Sequence, residues 1–165
     1  MITSKATYIC GIVASASKTQ CAICSADGVV LVNVFTRPAV VWGPEQEHFA
    51  PSVMAAVRRA CAQAAVSEKD LRILVAGLAG VDTTAGQQWT LEAIRIAMPR
   101  VPIVVQNDAA VACEAAMFYR PGAILMAGTG SIGYGEDTQG EVTGLGNGVT
   151  YLEMKEALIT SRFRR

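Results

Sequence analysis

The order of β-rich and helical segments constrains the fold of this chain more than any single motif. Three β-rich runs come first, at residues 8–13, 20–26 and 29–35, and two short apolar runs at 71–77 and 101–105 then alternate with helical periodicity. Alternation of this kind is typical of a sheet with helices packed against it. We therefore predict an α/β fold with a mixed five-stranded sheet and helices on both faces.

Local signals mark the ends of several elements. The Asp27-Gly28 pair between two β-rich runs predicts a hairpin. Pro51 is predicted to open the first helix, and Asp82 to cap the second one. A third helix is predicted to begin at the polar pair 107–108.

A pattern of strand, small-residue loop, strand, turn and strand occurs twice, at residues 8–30 and 123–142. Such a repeat favours two lobes that each begin with the same unit. We predict a first lobe over residues 1–120 and the beginning of a second lobe over 121–165. The second lobe is predicted to include one helix at 151–162.

Composition excludes several classes of protein. Fourteen basic and fourteen acidic residues cancel, which gives no electrostatic footprint for nucleic acid. No apolar run reaches the length of a membrane span, and the N-terminus is interrupted too early for a signal peptide. The odd number of cysteines, five, favours a reducing cytoplasm over disulfides. Cys21 and Cys24 would face opposite sides of a strand, so we predict core cysteines and no metal site.

The segment MAGTGSIGYG at residues 126–135 combines glycines with a Thr and a Ser. One interpretation is a tight turn in which glycine supplies positive φ. The other is a phosphate-binding loop, since bare backbone N–H groups can close around an anion only where side chains leave room. The segment alone leaves both open.

Several motifs occur together in a familiar order: LAGVD (78–82), VVQNDAAVA (104–112) and PGAILMAGTGSIGYG (121–135), after the Asp-Gly hairpin. With these motifs the chain resembles the BadF/BadG/BcrA/BcrD ATPase family, which includes N-acetylglucosamine kinases. The resemblance implies an actin-like ATPase fold, which is ribonuclease H-like, and ATP binding between two lobes together with Mg²⁺. It also implies phosphoryl transfer to an amino sugar.

The resemblance assigns roles to particular positions. A first phosphate loop would lie at residues 13–19, where Ser17, Lys18 and Thr19 keep groups that can bind an anion. Asp108 would be the catalytic base that accepts a proton from the acceptor hydroxyl. Read without the resemblance, the polar pair 107–108 is simply a helix cap. The second phosphate loop would consist of four residues: Gly128, Thr129, Gly130 and Ser131.

The chain departs from the family pattern at three places. Where the family has Asp-Gly-Gly-Gly in the first loop, this chain has Val13 followed by 14–16, so we expect side chains to obstruct a close backbone approach. Val40 replaces a sugar-binding Asn. The segment 146–150 lacks the Asp and Glu of the family, and most of a second lobe does not follow.

These departures keep two functions open. The first is an ATP-dependent kinase that uses Asp108. The second is a non-catalytic relative that binds nucleotide or sugar and acts as a partner-dependent half or as an interaction module. The expected partner is a second copy of the chain, in a homodimer, or another chain that supplies the second lobe. An iron–sulfur dehydratase activator is disfavoured because no Cys pair follows position 113.

Overall fold

The computed structural model describes residues 7–39, 41, 46–118, 120–127 and 131–145. The chain divides into two compact units, residues 1–108 and 109–165. The predicted division into lobes at residues 120/121 stays a prediction. The predicted helix at 151–162 lies outside the described residues.

The described part of the first unit contains five strands and two α-helices. They are β1 (Tyr8–Ala14), β2 (Thr19–Ser25), β3 (Val30–Thr36), α1 (Phe49–Ala64), β4 (Leu71–Leu78), α2 (Thr84–Ala97) and β5 (Ile103–Asn107). The strand order is β3-β2-β1-β4-β5, in which β1, β2 and β3 are antiparallel neighbours and β1, β4 and β5 run parallel. The predicted mixed five-stranded sheet is confirmed.

Strand alternation decides which side chains form the core of this unit. Along β1, Cys10, Ile12 and Ala14 are buried, whereas Val13 between them is 41% exposed. Both α1 and α2 pack against the buried face, and the rings of Phe49 and Trp89 join the two helices with centroids 5.6 Å apart. The apolar positions of two helices thus complete one core with one face of the sheet.

Cysteines contribute to this core. Cys10 and Cys21 lie on adjacent strands with their sulfurs 3.6 Å apart, and Cys61 of α1 is also buried. The hydrogen bond between Cys10 and Cys21, together with burial, raises the pKa of the Cys10 thiol. Burial raises the pKa of Cys61 to about 11. Cys24 is half-buried, so the CxxC pair is split between the two faces as predicted.

Turns and helix ends follow the sequence signals with two corrections. Gly28 adopts φ +89° in the β2–β3 turn, which confirms the predicted hairpin. The first helix begins at Phe49, two residues before Pro51. The second is not capped by Asp82: its cap is Thr83, whose hydroxyl accepts from the Gly86 N–H at 3.1 Å.

The second unit begins inside α3 (Asp108–Met117) and continues with β6 (Gly122–Ala127), β7 (Ser131–Glu136) and β8 (Val142–Leu145). These three strands form an antiparallel sheet in the order β6-β7-β8. The arrangement repeats the β1-β2-β3 meander, as the internal repeat predicted. Among the described residues, no helix has both the length and the apolar character needed to cross a membrane.

Candidate functional site

Three parallel strands end at the same edge of the five-stranded sheet. Ala14, the last residue of β1, pairs with Leu78 at the end of β4, and Leu78 pairs in turn with Asn107 at the end of β5. The carbonyl of Ala14 also accepts the N–H of Ala79 at 2.9 Å. Since ligands of open α/β sheets bind outside the carboxyl ends of the strands, this edge is the candidate site of the first unit.

A side-chain hydrogen bond joins the connection after β4 to the last residue of β5 at this edge. The amide Nδ2 of Asn107 donates to Oδ1 of Asp82, across 25 positions of sequence. Asp82 is exposed, whereas Asn107 and Asp108 are half-buried. Asp82 is therefore a site residue that sequence reasoning missed, because it was interpreted as the cap of α2.

Asp108 is the first residue of α3 and immediately follows Asn107. A carboxylate in the first turn of a helix is stabilised by the partial positive charge of the helix N-terminus. The predicted catalytic base thus lies beside the Asp82–Asn107 pair. Its role as a base stays a prediction.

The β1–β2 turn, residues 15–18, follows the end of β1. The N–H of Ser15 donates to the Lys18 carbonyl at 3.0 Å, and the hydroxyls of Ser15 and Ser17 are 3.2 Å apart. In the described part of the chain the non-glycine residues with positive φ are Ala65 and Phe118. The turn therefore forms without the conformational freedom of glycine, although glycines occupy these positions in the family pattern.

The three residues that replace the family's glycines differ in burial. Ala14 is buried in the core, Ser15 is half-buried and Ala16 is exposed. The expected obstruction of the backbone by side chains stays a prediction. Val13, at the position of the family's metal-side carboxylate, is exposed on the other face of the sheet.

The three predicted anion-binding residues of this loop are placed differently. Ser17 is exposed, and so is Lys18, whose Nζ lies 5.0 Å from the centre of the Phe35 ring. Thr19 is fully buried, and its hydroxyl has no hydrogen-bond partner in the described structure. A phosphate at the surface of the turn would reach Ser17 and Lys18, but it would reach Thr19 only after a local rearrangement.

The predicted second phosphate loop falls largely outside the described residues. Gly128, Thr129 and Gly130 are not among them, and Ser131 is the first residue of β7, paired with Ala127. Their phosphate-binding role stays a prediction.

An open cleft of about 730 Å³ lies beside the β1–β2 turn. Its walls come from that turn, from the end of β3 and from the start of α1: Ala16, Thr36, Arg37, Pro38, His48, Pro51, Ser52 and Ala55. Its volume is within the range of small-molecule sites. Arg37 and His48 supply its nitrogen donors.

The residues of this edge do not fit a resident Mg²⁺. Within the described ranges, no group of three or more His, Cys, Asp or Glu side chains is placed to hold a metal ion. Mg²⁺ binds through carboxylate and other oxygen ligands, and the apolar Val13 stands where the family has one. We therefore assign no residue of this chain to Mg²⁺.

The chain is similar to known ATPases and sugar kinases. The family model described as the BadF/BadG/BcrA/BcrD ATPase family matches residues 11–149. An N-acetylmuramic acid/N-acetylglucosamine kinase of Clostridium acetobutylicum is 29% identical over 133 residues, which are 81% of this chain and 44% of that protein.

Solved structures support the fold. A Chromobacterium violaceum protein assigned as an N-acetylglucosamine kinase superposes with a TM-score of 0.69 at 22% identity, covering 88% of this chain and 50% of that one. A ROK family glucokinase of Streptomyces griseus, solved with glucose and AMPPNP, gives 0.59 at 18% identity, covering 84% and 46%. The predicted actin-like ATPase fold of the sugar kinases is confirmed. The chain spans about half the length of these relatives.

Proposed function

This chain belongs to the BadF/BadG/BcrA/BcrD ATPase family, and on that premise we propose that it serves ATP-dependent phosphoryl transfer to a hydroxyl of an amino sugar. Asp108 is the proposed base. The β1–β2 turn is the proposed contact to the nucleotide phosphates. A phosphate-binding role of residues 128–131 is proposed from the family pattern alone. The relatives' names supply the amino-sugar class of acceptor.

The observation that carries this proposal is the common edge of β1, β4 and β5. Their paired ends put the β1–β2 turn, Asp82 and Asp108 at one edge of one sheet. Phosphoryl transfer depends mainly on positioning and on stabilisation of charge. This edge suits it, because it holds the exposed Ser17 and Lys18 of the turn and a carboxylate in the first turn of α3.

The proposed step conserves atoms and charge. The acceptor hydroxyl oxygen forms a bond to the γ-phosphorus while the bond from that phosphorus to the β,γ-bridging oxygen breaks, which releases ADP. The hydroxyl proton passes to a carboxylate oxygen of Asp108. Asp82 is a positioning residue, because its hydrogen bond to Asn107 fixes the connection from which Asp108 follows.

The cleft beside the turn does not adjoin the proposed base. Its walls come from the β1–β2 turn, the end of β3 and the start of α1, whereas Asp108 follows β5. The strand β5 is four positions from β3 in the sheet, or about 19 Å at about 4.8 Å per strand. Because the acceptor hydroxyl has to lie within hydrogen-bond reach of the base, the proposed place for the acceptor is at the ends of β4 and β5, near Asp82 and Asp108, and not in this cleft. The family's sugar-binding Asn is replaced by Val40 in this chain.

A second candidate function is a non-catalytic half that binds nucleotide or sugar and acts through a partner. Val13 favours it, since an apolar side chain replaces the family's metal-side carboxylate. The cytoplasmic location predicted from the cysteines stays a prediction.

Turnover by Asp108→Asn tests the kinase proposal. ADP release is followed with ATP, Mg²⁺ and either N-acetylglucosamine or N-acetylmuramic acid. The substitution is expected to lower kcat by at least about a hundredfold with little change in nucleotide affinity. Glu92→Gln, on the exposed surface of α2, is the matched control and should retain the wild-type rate.

Two results would contradict the kinase proposal. If Asp108→Asn has the wild-type rate, Asp108 is not the base. If the wild type binds nucleotide saturably but shows no turnover, the non-catalytic candidate is correct.

A further inference from the structure

The cleft beside the β1–β2 turn takes no part in the proposed reaction, because it does not adjoin Asp108. Hydrogen-bond donors line it from two elements: Thr36 and Arg37 at the end of β3, and His48 and Ser52 at the start of α1. None of its described lining residues is acidic. We propose that this cleft binds a phosphomonoester, that is, a small molecule that carries one phosphate group.

Arg37 gives the cleft a positive charge that its described neighbours do not neutralise. The residue directly follows β3 and is exposed, and in the part of the chain that the structure describes its guanidinium forms no ion pair. A guanidinium presents a planar fork of N–H donors that matches two oxygens of a phosphate. Arg37 is therefore available to bind an anion in the cleft.

His48 and the start of α1 form another wall. His48 precedes α1, and its side chain makes no cap hydrogen bond to the helix. Its Nε2 lies 3.6 Å from Oε1 of Glu47, but both side chains are largely exposed, and exposed pairs contribute little free energy. A phosphate can therefore replace Glu47 as the partner of His48. The first turn of α1 contains no acidic residue, so its own side chains do not neutralise the positive end of the helix.

Two more cations lie near the cleft. Nζ of Lys18 lies 5.0 Å from the centre of the Phe35 ring, and Arg59 of α1 donates to the Phe35 carbonyl at 3.3 Å. Phe35 immediately precedes Thr36 in β3, so both cations are close to this wall of the cleft. A surface with charges of one sign raises the local concentration of ligands of the other sign.

A phosphate group uses more of these donors than a carboxylate does. A phosphate monoester carries a charge of about −1.5 to −2 near pH 7 and three acceptor oxygens. Arg37 and a protonated His48 can balance that charge, while the hydroxyls of Thr36 and Ser52 can donate to the remaining oxygen. The Thr36 hydroxyl now donates to the Arg37 carbonyl at 3.4 Å, which is long for a hydrogen bond and easily exchanged.

The size of the cleft favours an organic phosphate over the bare ion. Its volume of about 730 Å³ lies within the range of sites for small molecules. Pro38, Pro51 and Ala55 add uncharged contacts for the rest of the ligand. The inference therefore specifies a sugar-sized phosphomonoester, and it does not depend on the proposed catalytic activity.

Calorimetric titration of the 165-residue chain with glucose 6-phosphate tests this site. The wild type is expected to bind it with a dissociation constant below about 1 mM, and to bind glucose or inorganic phosphate at least about tenfold more weakly. Arg37→Gln should weaken binding of glucose 6-phosphate at least about tenfold, because it removes a charged hydrogen-bond donor. Arg72→Gln, at an exposed position near the start of β4, is the matched control and should bind as the wild type does.

Ala55→Glu tests the cleft without removing a contact. Ala55 is exposed in α1 and lines the cleft, so a glutamate there should repel the phosphate and weaken binding at least about tenfold. Ala62→Glu, at an exposed position of the same helix outside the lining, is its control and should bind as the wild type does. Circular dichroism establishes that all variants are folded.

No saturable binding of glucose 6-phosphate by the wild type, or unchanged affinity in both Arg37→Gln and Ala55→Glu, would overturn the proposal. Equal affinities for inorganic phosphate and glucose 6-phosphate would overturn its ligand class. An equal loss of affinity for ADP in Arg37→Gln would overturn it as a separate site, because the cleft would then belong to the nucleotide site.

Discussion

The side-chain amide of Asn107 donates a hydrogen bond to the carboxylate of Asp82. The two residues lie 25 positions apart: Asp82 follows β4, and Asn107 is the last residue of β5, the parallel neighbour of β4. This bond ties the loop after β4 to the residue that precedes Asp108. The position of Asn107, and with it the start of the helix that carries Asp108, is thus fixed both by strand pairing and by the hydrogen bond to Asp82.

Replacing Asp82 tests whether this bond positions the base. Asp82→Ala removes the acceptor and is expected to lower kcat about tenfold, or about 1.4 kcal/mol in the barrier, without changing KM in the same proportion. Asp82→Asn keeps an oxygen acceptor and should recover most of the rate. The NMR signals of the Asn107 side-chain amide should shift in Asp82→Ala and not in Asp82→Asn. An unchanged rate and unchanged amide signals in Asp82→Ala would contradict this role.

Thr19 and Thr90 form a matched pair of fully buried threonines with different hydrogen bonding. The Thr90 hydroxyl donates to the Gly86 carbonyl at 2.8 Å, whereas the Thr19 hydroxyl has no partner in the described structure. Thr19→Val is therefore expected to raise the free energy of unfolding by about 1 kcal/mol, and Thr90→Val to lower it by about 1 kcal/mol. Urea unfolding measures both. A destabilised Thr19→Val variant would show that this hydroxyl has a partner in solution.

Val13→Asp tests the departure at the first phosphate loop. Val13 is 41% exposed, so the strand should accept a carboxylate there. Because carboxylates are ligands for Mg²⁺, the variant is expected to bind nucleotide about tenfold more tightly with Mg²⁺ than the wild type does, a gain of about 1.4 kcal/mol. Val13→Asn, of the same size without the charge, is the control. Equal affinities for both variants would locate the defect elsewhere than at position 13.

Alkaline pH should destabilise the first unit. Burial raises the pKa of Cys61 to about 11 from an ordinary value of 9.0, and the pKa of Cys10 is raised as well, first by its hydrogen bond to Cys21. Because the folded state holds these protons more strongly than the unfolded state, their contribution is complete below about pH 9 and declines as pH rises toward 11. Urea unfolding from pH 8 to pH 10.5 should give this decline, with a smaller slope for Cys61→Ala. Equal slopes would contradict the assignment to Cys61.

Much of the fold could be predicted from local sequence signals. Asp27-Gly28 marked the β2–β3 hairpin because only a residue that tolerates positive φ suits that turn. The strands were predicted from runs of β-branched residues, whose preference for extended backbone is local. The prediction that Asp82 caps α2 was wrong. Its hydrogen-bond partner Asn107 comes close only through the pairing of β4 with β5, which local sequence does not reveal.

The placement of individual site residues was less accessible to sequence reasoning. Thr19 looked like part of a surface loop after Lys18, yet it is the first residue of β2 and faces the core together with Cys21 and Ile23. The exposure of apolar side chains on β3 likewise depends on strand order, because β3 lies at the edge of the sheet and a central strand is covered by more neighbours. The burial of these residues is thus set by tertiary contacts, which the local sequence does not show.

Calorimetric titration of the 165-residue chain with Mg²⁺-ATP and with ADP tests the central claim most directly. If the edge formed by β1, β4 and β5 serves a nucleotide-dependent reaction, both nucleotides should bind saturably, with dissociation constants between about 1 µM and about 1 mM, the range usual for enzyme substrates. Absence of a binding isotherm for both nucleotides would contradict the account of this edge as a phosphoryl-transfer site.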